Sequence, residues 1–598
     1  MEKKGSIGMI DLLLSVLTLS TGLVASFGWF FALGHLLISK FSPEKNSVTI
    51  IFGISCAASA ALLTTITPWI ALPPPILLIV GLLITAGWVL KKISLPKLQI
   101  SSMKSLTLFF TIFFLTIYGF NYILIPDTNF DSVSYHLPFI NEFAKYGQIP
   151  FPKNPINWTD HVHFVFPKAV ETIYGLADQL IPEFHSFIHF LILISVVSIL
   201  NRLAVRFGVK DNWATGALFL GSTSAAFLFV FNMLQITSGF FVELTIFMFF
   251  LILLVFLLEE KNQSNNIILL FILGMAISLS KINAIIYLVA AGSVVWLFTK
   301  EWKYSVAAIA GGVAGFFAHL VPVLLSQYSF FEELKLVQAI SDGTSTTISR
   351  RAEILLKSVQ RFMSVGTIGF GFMLAIPMMW IRKEARVLLA ILIVSFFFFF
   401  VSFLASDLYS LTYFQFAAYY MYGFVGISII PLVLFIERLS LFLHEHAETA
   451  KILLFFPFLV LGVVSTLGSI YFYQQHYLYS GEYYYDILNN IPNDETTKLF
   501  FMNNINPVTL NLDKATIVDH TTFSSVSGDP CVFWRKNEIT HIVFWALSDN
   551  YYQLGKGNSK FYEDAKKELF EENCTVLLIP ESEEELNQKP VIIAKVKE

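Results

Sequence analysis

The sequence predicts a polytopic α-helical membrane protein that ends in a small α/β domain. Of its 598 residues, 55% are hydrophobic and only 14% are charged, and the mean hydropathy is +0.67. Apolar runs close to the roughly 20 residues of a membrane-spanning helix recur as far as residue 473. Beyond that point the hydrophobic content falls. Short β-rich runs then alternate with turn residues, which is typical of a small soluble domain.

The apolar runs predict about 14 membrane spans. We divide the chain into extra N-terminal helices (1–104), a main membrane module (105–473) and a tail (474–598). The first run follows charged residues, as in a signal peptide, but it continues to Ile38 without a small-residue cleavage site, so we interpret it as a retained helix. The runs are 8–39, 48–69, 74–90, 105–126, 184–206, 212–231, 236–258, 265–280, 283–299, 303–325, 362–381, 387–405, 412–436 and 450–473.

The charges of the loops predict the orientation, because Lys and Arg concentrate on the cytoplasmic side. Segments 91–104, 201–210 and 382–386 are basic, and strict alternation of the spans places all three inside. The same alternation places the polar loops 127–183 and 326–361 outside, together with the tail. The first residues, MEKK, favour the inside, whereas the three spans that follow them place them outside, so the N-terminal orientation stays open.

The tail, residues 474–598, is predicted as an extracytoplasmic α/β domain. It lacks a glycine-rich phosphate loop, so we expect no nucleotide. Cys531 and Cys574 both lie in it and either pair or remain free thiols. The predicted elements are strands within 498–503, 515–520, 540–547, 575–580 and 590–596, and one helix at 559–573.

Bulk composition excludes two classes of protein. A net charge of −4 offers no basic patch, so nucleic acid is not an expected partner. Three cysteines in the whole chain are too few for a disulfide scaffold. We expect the protein to lie in a lipid bilayer.

Two carboxylates open the polar loop 127–183. Asp127 and Asp131 directly follow an apolar run, and ionisable groups at a membrane surface are where chemistry on lipid-linked substrates would occur. Burial raises the pKa of a carboxyl group towards neutrality, which would make one of them a general base. The alternative is that both are solvated acids, or that Asp131 caps a following helix.

Histidines later in the same loop suggest a metal site. His161 and His163 are separated by one residue, so both rings would share one face of a strand, with Asp160 or Asp131 and His136 as further ligands. The alternative is ordinary hydrogen bonding. A divalent metal is therefore a candidate, not a requirement.

Two charged residues interrupt otherwise apolar runs. Lys281 could bind a phosphate as a point charge or extend its ammonium group towards the membrane surface. Glu243 lies near the outer end of its span, where it could reach the same cavity or pair with a cation. Arg350, Arg351 and Arg361, on loop 326–361, could clamp a phosphate or only solvate the loop.

The order of these features resembles the GT-C superfamily of integral-membrane glycosyltransferases. It is most similar to bacterial relatives of the protein O-mannosyltransferases and the lipid A aminoarabinose transferases, over roughly residues 105–475. The chain departs from the family in its extra N-terminal spans, in a glutamate where aspartate is usual, and in the lack of an arginine in 412–423. The matching features are Asp131 with Asp127, the segment Tyr135-His136-Leu137-Pro138, Phe166-Pro167 with Glu171, Glu243, and Gly274 with Lys281.

The resemblance implies an activity and a location. A polyprenyl-phosphate sugar would enter from the outer leaflet, and Asp131 would deprotonate a hydroxyl group of a glycan, lipid or protein acceptor that attacks with inversion. Tyr135, His136, Glu243, Lys281 and the external arginines would bind the substrate and its phosphate. No cofactor would be required, and the protein would lie in a bacterial inner membrane.

Two other functions stay open. A transporter or flippase of a lipid-linked sugar would explain the spans and an outward cavity, but it would favour internal repeats, which the sequence does not display. An O-antigen ligase or polymerase would place its chemistry on a late external loop with arginine and histidine. Loop 326–361 contains arginines and no histidine.

Overall fold

The computed structural model describes a helical region and a small sheet. In the helical region it describes residues 9–38, 47–91, 105–124, 136–148, 167–211, 213–221, 238–259, 266–281, 284–299, 302–325, 386, 390, 393, 422–442, 446, 449–450, 453–457, 459–460, 463–464 and 467. In the tail it describes 490–492, 494–501, 516–518, 528–545, 564–565, 567–569, 571, 573–579 and 591–597.

Most of the helices coincide with predicted apolar runs, and the described parts of those runs are almost entirely helical. Two helices, Leu137–Tyr146 and Ala169–Leu180, lie instead in the predicted polar loop 127–183. Residues 213–221 are also helical, and a π-helical turn, Gly28–Ala32, joins the first two helices. The membrane-region helices are α1 (Met9–Phe27), α2 (Leu33–Ile38), α3 (Val48–Ile66), α4 (Pro74–Leu90), α5 (Ser105–Leu124), α6 (Leu137–Tyr146), α7 (Ala169–Leu180), α8 (His185–Arg206), α9 (Ser238–Glu259), α10 (Asn266–Ser280), α11 (Ile285–Thr299), α12 (Trp302–Leu325) and α13 (Tyr422–Phe442).

Four helical stretches in the described ranges are long and apolar enough to cross a membrane: Leu14–Ile38, Val48–Ile66, His185–Arg206 and Trp302–Leu325. These agree with a helical membrane protein. The total of about 14 spans and the orientation of the chain remain predictions. The runs 362–381 and 387–405 lie almost wholly outside the described residues.

Helix α9 lies at the centre of the bundle. Its side chains from Leu244 to Leu257 are almost all buried, as expected for a helix that is apolar on every side. It packs against α3, α8, α10 and α13. Buried aliphatic and aromatic side chains from all of these helices form one continuous core.

Glycines allow α10 and α12 to approach closely. A Cβ atom at Gly274 would lie 2.0 Å from the carbonyl oxygen of Ala308, and one at Gly311 would lie 2.0 Å from that of Phe271. Neither separation is sterically possible, so only glycine fits there. Small residues at helix contacts are typical of membrane bundles, where close packing replaces the hydrophobic effect.

The tail contains a five-stranded mixed sheet, and the five strand predictions are confirmed. Parallel pairing joins β1 to β2 and to β3, whereas β5 runs antiparallel to β3 and β4. The described residues of the predicted helix 559–573 that have regular structure are helical. The strands are β1 (Lys498–Phe501), β2 (Thr516–Val518), β3 (His541–Trp545), β4 (Thr575–Ile579) and β5 (Val591–Val596), in the order β2-β1-β3-β5-β4.

A disulfide fastens a helix to this sheet. Helix α14 (Pro530–Lys536) is capped by the Asp529 carboxylate, which accepts hydrogen bonds from the Cys531 and Val532 amides. Cys531 then bonds to Cys574, immediately before β4. The sequence left pairing and free thiols open, and the structure decides for pairing. Cys56, in α3, is a buried free thiol.

Candidate functional site

The described chain contains four of the residues on which the predicted site depends: His136, Glu171, Glu243 and Lys281. The remaining candidates lie outside the described residues, so their placement stays a prediction. They are Asp127, Asp131, Tyr135, Asp160, His161, His163, Arg350 and Arg351, together with Arg361.

A buried charged cluster forms where the polar loop meets the helices. The His136 Nδ1 atom lies 2.8 Å from Glu171 Oε1, and the Lys168 ammonium nitrogen lies 3.9 Å from the same oxygen. All three residues are less than 10% exposed. We call these three residues the loop-end cluster, because His136 precedes α6 and Lys168 precedes α7 at the two ends of segment 137–167.

Local sequence explains how α6 and α7 bring the cluster together. Helix α6 ends at Gly147, whose φ of 61° suits glycine, and the Gly147 carbonyl accepts a hydrogen bond from the Leu72 amide. Helix α7 packs along α6 through Gly175, which lies against Phe143 and the Ile140 carbonyl. The two helices therefore pair closely, and their first residues meet.

Electrostatics keep the Glu171 carboxyl group ionised. Burial alone would raise its pKa, but the Lys168 charge and the His136 hydrogen bond outweigh burial and hold the pKa below its usual value. Burial lowers the pKa of Lys168 to about 8, against the pull of Glu171. Since a carboxylate only accepts, His136 donates from Nδ1. The Lys168 ammonium also lies 4.2 Å from the centre of the Phe139 ring.

The two carboxylate oxygens of Glu171 differ in their contacts. Oε1 faces both His136 and Lys168, whereas Oε2 is buried and has no hydrogen-bond partner within the described part of the chain. Buried carboxylate oxygens normally accept hydrogen bonds. An oxygen in this state indicates a place for a further donor.

A second charge pair, between buried Glu243 and partly exposed Lys281, joins α9 to the end of α10. The Lys281 ammonium nitrogen lies 2.5 Å from Glu243 Oε1, and the two side chains are 24% and 4% exposed. The structure therefore shows the alternative that the sequence left open for Glu243, a pair with a cation. Its predicted role in substrate binding stays a prediction. The predicted role of Lys281 in phosphate binding is compatible with this pair, since an ammonium group has three donors.

Tyr174 connects the regions of the two charged groups. Its hydroxyl lies 2.9 Å from His189 Nδ1 on α8 and hydrogen-bonds to the side chain of Thr245 on α9. Tyr174 is one helical turn beyond Glu171, and Thr245 is two residues beyond Glu243. The beginnings of α7 and α9 therefore lie at the same end of the bundle, and α10 also contacts α7.

The sequence did not single out Lys168, and it singled out Glu171 only through a family resemblance. A detectable signal was present, because a lysine and a glutamate three residues apart at the start of a helix are positioned to pair. What the sequence could not provide is the partnership with His136, which is 35 residues away in the chain.

Of the predicted metal ligands the structure describes His136, whose Nδ1 atom lies against Glu171. Asp131, Asp160, His161 and His163 lie outside the described residues, so the metal site stays a prediction. Among the residues that the structure does place, metal-type ligands come together at Cys531, Cys574 and Glu568. Both sulfur atoms there are joined in the disulfide, and a disulfide sulfur is not the thiolate that binds metals. We assign no metal to that group.

Comparison with known proteins identifies neither a matching family model nor a matching curated protein.

Proposed function

We propose that this protein is a membrane glycosyltransferase that moves a sugar from a polyprenyl-phosphate donor to a hydroxyl acceptor on the extracytoplasmic side. The observation that carries the proposal is the collection of buried and partly buried charges at one end of the helical bundle. The loop-end cluster and the Glu243–Lys281 pair both lie there, at the end that the loop charges assign to the outside. Buried charges of this kind are costly and are typical of functional sites.

The proposed reaction needs a base close to this end. Asp131 lies five residues before His136, so extended chain can separate the two residues by at most about 18 Å. In the proposed step the Asp131 carboxylate takes the proton of the acceptor hydroxyl, whose oxygen bonds to the anomeric carbon. The bond between that carbon and the phosphate oxygen breaks with inversion, and polyprenyl phosphate leaves.

Negative charge develops on the departing phosphate, so cations nearby would stabilise the transition state. Lys281 is the described candidate, with Arg350 and Arg351 as further candidates. Asp127, Tyr135 and His136 would complete the substrate contacts. A divalent metal bound by Asp160, His161 and His163 would be an addition to this scheme, which requires neither a metal nor a nucleotide.

The disulfide supports an extracytoplasmic tail. Disulfides form and persist in oxidising compartments and are rare in the cytosol. The Cys531–Cys574 bond therefore agrees with the orientation predicted from the loop charges. We propose an integral protein of a bacterial inner membrane with residues 474–598 outside.

A transporter of the same lipid-linked sugar is the second candidate, because an ion pair within apolar helices is also common in transport pathways. The two functions differ in whether the donor is consumed.

The test uses purified protein in nanodiscs with a panel of radiolabelled polyprenyl-phosphate hexoses and pentoses and a membrane extract as acceptor. The wild type should release polyprenyl phosphate, and Asp131→Asn should reduce the rate at least a hundredfold, within the range of general-base catalysis. Full activity of Asp131→Asn would remove Asp131 from the base role.

A further inference from the structure

We propose that Glu171 is an additional substrate-binding residue, whose Oε2 atom accepts a hydrogen bond from a hydroxyl group of the donor sugar. The inference rests on the proposed function and deepens it. It starts from a carboxylate that is only half satisfied: one oxygen is held by the loop-end cluster, and the other is buried without a hydrogen-bond partner in the described chain.

The carboxylate is held in a fixed position before any ligand arrives. Oε1 accepts from His136 at 2.8 Å and faces Lys168 at 3.9 Å. Lys168 is itself held over the Phe139 ring. These contacts come from both α6 and α7, so the direction of Oε2 is set by two packed helices. A preorganised acceptor of this kind binds its donor at little cost in ordering.

The charges around Glu171 select the kind of group that Oε2 can bind. A carboxylate oxygen accepts and cannot donate, so a phosphate or another carboxylate is excluded. The negative charge of Glu171 is already balanced by Lys168, whose ammonium would also repel a cation. A neutral donor remains, and in a lipid-linked sugar the neutral donors are hydroxyl groups.

The position of the cluster fits a sugar and not the lipid chain. His136 directly follows segment 127–135, and Lys168 closely follows segment 149–166, so both halves of the polar loop lead into it. Asp131, the proposed base, belongs to the first of these segments. The Glu243–Lys281 pair lies at the same end of the bundle and is the described candidate for the phosphate. A sugar whose phosphate binds Lys281 would therefore lie at the end of the bundle that holds Glu171.

The inference is tested by donor binding, which does not require turnover. Polyprenyl-phosphate mannose, glucose and arabinose, and the monodeoxy analogues of whichever binds best, are titrated against wild type and Glu171→Gln in nanodiscs. Glu171→Gln should weaken binding of the full sugar about tenfold or more, as expected for one hydrogen bond to a charged group. One monodeoxy analogue should bind the wild type as weakly as it binds the variant.

The matched control is Glu183→Gln, the same substitution at an exposed position between α7 and α8, which should bind every analogue like the wild type. If Glu171→Gln does not fold, Glu171→Asp serves in the same cycle, because it retains the charge and withdraws Oε2 by one methylene. If each monodeoxy analogue loses as much affinity, relative to the full sugar, in the variant as in the wild type, no sugar hydroxyl binds Glu171. That result would overturn the inference and assign Oε2 to a water molecule.

Release of polyprenyl phosphate by the wild type is measured in parallel and decides the proposed function separately. Donor binding that depends on Glu171 without release would overturn the transferase proposal and support the binding role. Release of polyprenyl phosphate, together with donor binding that is unchanged in Glu171→Gln, would support the transferase proposal and overturn the binding role of Glu171. A wild type that binds none of the donors would overturn both.

Discussion

At the scale of single residues, the Glu243–Lys281 pair shows what burial demands of a charge. Each residue stands out in the sequence as an ionisable group in an apolar run, so each could be singled out as a candidate. Their pairing was not, because 38 residues separate them and only the packing of α9 against α10 brings them together. The loop-end cluster follows the same rule, since His136 meets Glu171 only when α6 and α7 pair.

Removing one member of the Glu243–Lys281 pair should cost more stability than removing both. Glu243→Gln leaves the Lys281 ammonium without its counter-charge, and we expect a loss of roughly 2–3 kcal/mol, below the value for fully buried pairs because Lys281 is partly exposed. The double variant Glu243→Gln/Lys281→Met should recover part of this loss. Thermal unfolding in detergent measures both. A double variant less stable than the single one would show that the pair is not the reason for the loss.

A histidine in the tail predicts a dependence of stability on pH. Burial and the nearby Lys595 lower the pKa of His541 below its ordinary value of 6.5. At a pH between the lowered pKa of the folded state and the ordinary pKa of the unfolded state, the unfolded chain binds more protons than the folded one. Stability should therefore fall as the pH drops below about 6.5. Hydrogen exchange of the β3 amides, corrected for intrinsic rates, should show this loss between pH 7.5 and 5.5. His541→Gln should flatten the profile, and an equally steep profile in that variant would assign the effect to another group.

At the scale of elements, the sequence predicted the long helices and the strands well, because both carry long or strongly β-forming apolar runs. It did not predict the short helix α14 of the tail. The bounds of α4, predicted as 74–90, are those of the structure. The short helices α6 and α7 were harder, because they lie in a polar segment and belong to the bundle through tertiary packing. The π-helical turn at Gly28–Ala32 has no signal in the pattern of apolar residues.

The contact between α10 and α12 predicts a sharp response to small substitutions. Gly311→Ala places a methyl group against the Phe271 carbonyl, at a distance no side chain tolerates, so the helices must move apart. We expect a loss of about 1–3 kcal/mol, as for other overpacked sites, seen as a lower thermal midpoint. Gly87→Ala is the control, because open space surrounds that position in α4. Equal midpoints for the two variants would refute the close contact.

The disulfide predicts the stability of the tail. Replacing Cys531 and Cys574 together by serine removes a cross-link between residues 43 positions apart, and we expect a loss of roughly 2–5 kcal/mol. Limited proteolysis of the full-length protein should then cleave the tail faster, with fragments mapped by mass spectrometry. Cys56→Ser, far along the chain in α3, should leave the tail cleavage rate unchanged. Unchanged cleavage in the double variant would mean that the sheet does not need the bond.

At the scale of the whole molecule, orientation connects the tail to the site. If residues 474–598 are extracytoplasmic, Cys531 and Cys574 should resist alkylation in intact cells until an external reductant is added. A membrane-impermeant maleimide should then label them and not the buried Cys56. Labelling only after the membrane is opened would show that the tail is cytoplasmic, opposite to the prediction, and that the site does not lie at the outer surface.

A transferase consumes a lipid-linked sugar at this end of the bundle, whereas a transporter only moves it. The decisive experiment follows a radiolabelled polyprenyl-phosphate sugar in proteoliposomes that contain an acceptor extract, with wild type beside Asp131→Asn. We expect the wild type to form glycosylated acceptor and polyprenyl phosphate in equal amounts, and the variant to form neither. Intact donor in the opposite leaflet, with no product from either protein, would rule out the transferase and identify a transporter.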